Sequence, residues 1–377
     1  MFERPTQRSF FVFGPRGTGK SSWLKQHMQG CPYIDLLDDE IYRQLVARPE
    51  SLRHLIPPKT EWVVIDEVQR VPELLNEVHR LIESENVRFA MSGSSARKLK
   101  KVGTNLLAGR AITKFMYPLT THELGSDFAL DKALTLGMLP EVWDSEDGEQ
   151  YLQSYVTTYL KEEVQQEGLT RNVGTFARFL EIASLSQATP LNVSNIASDL
   201  GVDSKTAENY FTILEDLLLA VRLPVFSKHA QREMYKRPKF LFFDTGVYRA
   251  IRPRGPLDTP ELIDGAALET ILFQELRAIN DYYDLGYDLS YWRTRSKLEI
   301  DFILYGERGL HAFEVKRAAT IRSKDLKALR EFLKDYPIGQ ATLLYGGSKK
   351  QWIDDIAILP FEEGLLGLRD ILGNHGQ

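Results

Sequence analysis

One octapeptide constrains this chain more than any other feature. Gly14-Pro15-Arg16-Gly17-Thr18-Gly19-Lys20-Ser21 carries glycine at its first and sixth positions, then lysine and a hydroxyl residue. It stands between an apolar run, Phe10–Phe13, and a segment of helical spacing, Ser21–Met28. A glycine-rich turn in that context lets backbone N–H groups wrap an anion, and the helix N-terminus adds partial positive charge. Lys20 would reach the β- and γ-phosphates of a nucleotide, and the Ser21 hydroxyl would hold magnesium. The expected binding set is Gly14, Pro15, Arg16, Gly17, Thr18, Gly19, Lys20, Ser21 and Ser22, with ATP and Mg2+ as cofactors.

The second half of such a site is Trp62-Val63-Val64-Ile65-Asp66-Glu67, an apolar strand ending in two acids. Asp66 would hold magnesium through water. Glu67 would orient and polarise the attacking water, because in-line phosphoryl transfer needs a positioned nucleophile. The run Arg88–Ser92 continues into Gly93-Ser94-Ser95. Ser94 can place its hydroxyl beside the γ-phosphate, or Ser94 or Ser95 can cap a helix. Arg110 directly precedes another strand pattern. It either projects into a neighbouring subunit's ATP site or is a surface arginine.

Phe10–Phe13, Tyr33–Leu36, Trp62–Ile65, Arg88–Ser92 and Ala111–Met116 read as strands, with helices at Ser21–Met28 and Pro72–Glu83. This alternation predicts a parallel sheet covered by helices. A length of 377 residues allows two or three domains. With 43% hydrophobic and 26% charged residues the chain is expected to be soluble and globular. Its net charge of −5 means that any nucleic-acid site must be a local patch. Cys31 is the only cysteine, which excludes an intrachain disulfide and a cysteine-rich zinc site. No signal peptide and no membrane span are legible, so a cytoplasmic protein is expected.

Beyond residue 125 the pattern becomes helical, with Tyr151–Val164 the clearest case. Asn192–Leu200, Gly201-Val202-Asp203 and Ser204–Leu218 read as helix, turn, helix, with Ser204 as a cap. Six cations in Arg222–Lys239 stand against Glu233 alone, a local charge of +5. Lys205, Lys228, Arg232, Lys236 and Arg237 are the candidate contacts to DNA phosphates; packing is the alternative. Arg252-Pro253-Arg254-Gly255-Pro256 reads as a linker. The remainder reads α-β-β-β-α-β. If Tyr305 pairs with Leu310 across Gly306-Glu307-Arg308-Gly309, Asp301 faces Glu314, and Lys316 shares that face. Opposed carboxylates repel, so a metal ion or Lys316 must compensate. The alternatives are a salt-bridged solvent face and a retired site kept as a fold.

Taken together these residues resemble a bacterial and archaeal family of AAA-type ATPases whose C-terminal half is a domain of unknown function, the DUF4143 type. The markers are Gly-Pro-Arg ahead of Gly19-Lys20-Ser21, Ile65-Asp66-Glu67-Val68-Gln69, Ser92-Gly93-Ser94-Ser95, Leu107-Ala108-Gly109-Arg110, Phe242-Phe243-Asp244-Thr245-Gly246 and Tyr291-Trp292-Arg293-Thr294. The chain departs at Gly137-Met138-Leu139-Pro140-Glu141, where the family usually has glycine in place of Met138. The resemblance implies an α/β fold class. Its expected parts are a P-loop AAA ATPase core (1–124), a helical lid (125–171), a winged helix (172–250) and a domain similar to PD-(D/E)XK nucleases (256–377). It matches Asp301, Glu314 and Lys316 to the nuclease core and adds Glu269 as a metal ligand on a helix. The expected protein is an ATP-hydrolysing homo-oligomer, such as a hexameric ring, acting on DNA. The alternatives are a nucleotide-controlled switch with a protein partner and an ATP-gated, metal-dependent nuclease.

Overall fold

The computed structural model describes residues 1–95, 107, 109–159, 173–255 and 259–373. Its contacts divide the chain into two units, Met1–Pro118 with Asp216–Leu219, and Leu119–Glu215 with Ala220–Gln377.

In the first unit all five apolar runs form strands: β1 (Ser9–Phe13), β2 (Tyr33–Asp35), β3 (Trp62–Asp66), β4 (Arg88–Gly93) and β5 (Ala111–Phe115). They make a parallel sheet in the order β2-β3-β4-β1-β5. Burial of both faces explains why β1, β3 and β4 read as nearly unbroken apolar runs. Helices Lys20–His27 and Leu74–Glu85 follow the sequence pattern. The helix Asp39–Ala47 is additional. It starts under Asp38, whose carboxylate accepts from the Glu40 and Ile41 N–H groups at 2.8 and 3.1 Å.

Parallel strands bring their carboxyl ends to one edge. Gly14, Asp66–Glu67 and Gly93–Ser95 therefore meet there, on the central strands β1, β3 and β4. Gly14 must be glycine, because a Cβ would lie 2.3 Å from the Met116 carbonyl oxygen.

The second unit holds two sheets. β6 (Thr189–Pro190), β7 (Ala220–Leu223) and β8 (Lys239–Phe242) form an antiparallel sheet in the order β6-β8-β7, with helices Val193–Leu200 and Ser204–Asp216 between β6 and β7 in sequence. Asp203, not Ser204, caps the second of these helices: its Oδ1 accepts from Thr206 N at 2.9 Å. Asp203 stands just outside the helix, where a carboxylate can turn back to the free N–H groups. The expected helix Tyr151–Val164 begins earlier, as Gly148–Ser154 and a π-helical turn at Tyr155–Tyr159; its end lies outside the described residues. Pro256 of the expected linker also lies outside them.

The larger sheet consists of β9 (Asp288–Arg293), β10 (Glu299–Gly306), β11 (Gly309–Lys316), β12 (Gln340–Tyr345), β13 (Gln351–Ile353) and β14 (Ile356–Pro360), in the order β13-β14-β12-β11-β10-β9. Helices Pro260–Tyr282, Lys327–Asp335 and Phe361–Gly373 belong to the same unit. β13, β14 and the last helix extend the expected α-β-β-β-α-β order. The β10–β11 register pairs Tyr305 with Leu310 and Phe302 with Phe313.

Two sequence markers explain each other in this unit. The Asp244 carboxylate accepts from Met138 N at 2.8 Å and from Val247 N at 3.0 Å, so one side chain holds the 137–138 turn and starts the helix Thr245–Ile251. Gly137 has φ 74°, and a Cβ there would sit 2.3 Å from Asp244 Oδ1. Among the described residues, no helix is long and apolar enough to cross a membrane.

Candidate functional site

At the carboxyl edge of the first sheet, Gly17 and Gly19 take φ of 83° and 87°, left-handed values that favour glycine. The buried Lys20 ammonium donates to the Gly14 and Pro15 carbonyls at 2.8 and 2.9 Å. Thr18 Oγ1 also donates to Pro15 O, at 2.8 Å. Lys20 thus lies across its own loop, held by neutral carbonyls that a phosphate outcompetes as an acceptor. Arg16 and Ser22 are exposed beside it.

Ser21, Tyr33, Asp66 and Ser92 form the adjoining corner. The Tyr33 phenol donates to Asp66 Oδ2 at 2.5 Å and hydrogen-bonds the Ser21 hydroxyl. Ser92 Oγ donates to Asp66 Oδ1 and accepts from Glu67 N at 3.0 Å. Both Asp66 oxygens are therefore oriented. Burial first, and then the bond and charge of Asp66, push the Tyr33 phenol well above its ordinary range. A hydroxyl beside a fixed carboxylate is a hard-oxygen set of the kind magnesium takes with water and phosphate. These residues fit a magnesium–nucleotide complex.

Glu67 has φ 59°. A non-glycine residue held in this region at a strand end is the sort of strain found at active sites. Its carboxylate accepts from Gln69 Nε2, which also bonds Ser94 Oγ at 3.0 Å. Gln69 is buried, and its Oε1 has no hydrogen-bond partner among the described residues. Tyr33, Gln69 and Ser92 were not singled out as site residues from the sequence. Gln69 had a signal in its fixed spacing from Asp66-Glu67; Tyr33 had none, since it arrives through the pairing of β2 with β3. The helix that Ser94 or Ser95 would cap lies outside the described residues.

Arg110 sits at the opposite edge. Ala111 pairs with Ser9, at the start of β1, and the loop begins beyond the end of that five-residue strand. The separation is ~17 Å at roughly 3.3 Å per residue. Arg110 instead pairs with the exposed Glu83, whose carboxyl it holds below the usual range.

The basic segment is largely paired. Arg222 bonds Glu208 and Glu215, Lys228 pairs with Asp288 at 3.0 Å, and Arg232 reaches Asp335 and Glu331 at 2.5 and 2.8 Å. The β7–β8 connection runs along the β9 edge, with Phe226 N donating to Tyr291 O at 2.7 Å and Tyr235 N to Arg293 O at 2.9 Å. It covers a sheet edge that would otherwise present unpaired backbone groups. Arg222 and Arg232 are thus engaged within the fold, whereas Lys228 and its partner Asp288 are both exposed. Lys205, Lys236 and Arg237 are exposed, with no ion pair among the described residues.

Of the two hairpin acids, Asp301 meets an unexpected cation and Glu314 pairs with Lys316. Lys239 of β8 is fully buried, and its Nζ lies 3.0 Å from Glu269 Oε2, 3.0 Å from Glu299 Oε1 and 3.1 Å from Asp301 Oδ1. Asp301 falls in a β-bulge of β10 against β9, and its Oδ2 accepts from Val315 N at 2.9 Å. Lys316 donates to Glu314 Oε1 at 2.5 Å, while Glu314 Oε2 has no partner among the described residues. Burial and the Asp301 charge raise Glu314 to about 8. Asp301 is held below its usual range: burial opposes this, and the Lys239 and Lys316 ammoniums outweigh it. The sequence placed a metal among Glu269, Asp301 and Glu314. Among the described residues no group of three His, Cys, Asp or Glu side chains is disposed to hold one.

Residues 6–125 match the family model of the AAA domain, 127–258 a domain of unknown function (DUF8612), and 264–363 a domain of unknown function (DUF4143). The chain thus combines an N-terminal AAA domain with a C-terminal DUF4143 domain. No curated protein matches it. It is similar to protein VC1899 from Vibrio cholerae, at 13% identity over 97% of each chain with a TM-score of 0.24. It is also similar to the ORC2 protein of Aeropyrum pernix in its ADP form, at 13% identity over 70% of this chain and 89% of that one, with a TM-score of 0.29. Likenesses this loose carry neither fold nor role across.

Proposed function

We propose that the chain is an ATP hydrolase of the AAA type that works as a homo-oligomer, with a hexameric ring as the expected form. The observation that carries this is the single network joining Ser21, Tyr33, Asp66, Ser92, Glu67, Gln69 and Ser94 beside the buried Lys20. Lys20 and the loop N–H groups bind the phosphates. Ser21 and Asp66 would hold Mg2+, which would supply positive charge to the nucleotide phosphates. Glu67 orients and polarises the attacking water; Gln69 fixes Glu67 and Ser94 relative to each other. Arg110, remote from its own loop, serves a neighbour. Lys20→Ala should abolish nucleotide binding, read by titration with a fluorescent ATP analogue; unchanged affinity would contradict the phosphate role.

A second reading concerns what turnover drives. Exposure of Lys205, Lys236 and Arg237 next to a helix pair and small sheet of winged-helix type favours DNA. The ion pairs of Arg222 and Arg232 leave four cations on this surface, because the Lys228–Asp288 pair is exposed and weakly held. Each phosphate contact contributes about −0.9 to the slope of log K against log salt, so the slope should not exceed roughly −4. Alanine at Lys236 and Arg237 should flatten it by about 2, while Arg232→Ala should leave it unchanged. A reversed pattern would put the contacts on the paired residues. Turnover measured with duplex, forked and four-way DNA decides the larger question. Stimulation supports a machine acting on DNA; indifference assigns the turnover to a switch with a protein partner.

A further inference from the structure

We propose that Lys239 is a built-in cation standing where a divalent metal would sit, so that the acids of the larger sheet form a lysine-filled site that neither binds Mg2+ or Mn2+ nor cuts nucleic acid. An ammonium has three N–H donors, and here each has a carboxylate: Glu269, Glu299 and Asp301, at 3.0 to 3.1 Å. Magnesium would need those oxygens at about 2.0–2.1 Å, around a point the nitrogen already occupies. Two cations cannot share that position, and one buried and two half-buried carboxylates without either would repel.

Lys239 is placed with precision. It begins β8, paired with Leu223 and Pro190, and its stem passes the Tyr291 and Phe302 rings, 5.5 and 5.9 Å from the ammonium. Tyr291 donates its phenol to Arg237 O at 2.5 Å, which pins the backbone two residues earlier. The bulge at Asp301 turns one carboxylate to serve both Lys239 Nζ and Val315 N. The same ion set ties the small sheet to the larger one. Glu314 stands outside the triad, held by Lys316.

Removing the ammonium should free Glu269, Glu299 and Asp301, each 3.0 to 3.1 Å from its nitrogen, to close on a divalent cation. The test is Mn2+ binding to the nucleotide-free full chain by electron paramagnetic resonance, with thermal unfolding followed in parallel. Wild type should bind no Mn2+ that depends on Asp301, and MnCl2 should not raise its Tm. Lys239→Met, or Lys239→Gln if the former does not fold, should bind one Mn2+ per chain, gain Tm with MnCl2, and lose both on adding Asp301→Asn. Wild type binding one Mn2+ that Asp301→Asn abolishes would overturn the proposal, and this arm needs no Lys239 variant. Folded Lys239 variants that bind none would overturn it equally.

Discussion

Arg110→Ala is expected to slow ATP turnover by about 10³-fold or more while leaving ATP binding intact. An arginine that stabilises transferring phosphate is worth ~10³–10⁵ in rate, or roughly 4–7 kcal/mol of barrier. In the proposed homo-oligomer this effect is intermolecular. Arg110 stands at the amino end of β5, and the phosphate loop follows the carboxyl end of the parallel β1. Its partner within the chain, Glu83, is exposed. Such pairs are weakly held, and a neighbour's γ-phosphate would displace the carboxylate. Mixing Arg110→Ala with Lys20→Ala should therefore restore part of the activity, because a mixed assembly joins an intact Arg110 to an intact loop. A monomer with full turnover, or Arg110→Ala at the wild-type rate, would remove this role.

Glu67→Gln is expected to bind ATP like wild type and to hydrolyse it about 10²–10⁴ times more slowly, the usual range for loss of a positioned acid–base group. The side chain keeps its size, but the amide cannot polarise water. Gln69 makes a second variant informative. Its amide bonds both Glu67 and Ser94, so Gln69→Ala should lower kcat through misplacement of Glu67, with binding again unaffected. Wild-type turnover by Glu67→Gln would show that another group activates the water.

The proposed nucleotide site and the β10–β11 hairpin were legible because their determinants are local. An octapeptide fixes the loop, four apolar residues carry Asp66 to the strand end, and the hairpin turn sets the β10–β11 register that pairs Tyr305 with Leu310. What the sequence hid is set by distant pairing. Lys239 meets Asp301 across 62 residues and Arg232 meets Asp335 across 103. Counting charge along the chain put Arg232 among the candidate DNA contacts, with packing as the alternative; its pairing with Glu331 and Asp335 could not be read from that count. Lys239 entered the same count and proves to be buried. The capping carboxylate of Asp203 was missed because Ser204, equally suited by residue type, lies one place inside the helix. The Asp244 contact with Met138 spans 106 residues. It shows that the backbone N–H of residue 138, which methionine also supplies, is what that turn contributes.

The fate of ATP bound to the wild-type chain bears most directly on the proposed activity. Protein loaded with γ-labelled ATP and Mg2+ is freed of unbound nucleotide, and phosphate release is followed beside Glu67→Gln loaded to the same level. Hydrolysis at this site predicts that wild type converts its bound ATP to ADP and phosphate while the Glu67→Gln complex keeps it intact. ATP persisting unchanged on both proteins, or lost equally from both, would contradict it.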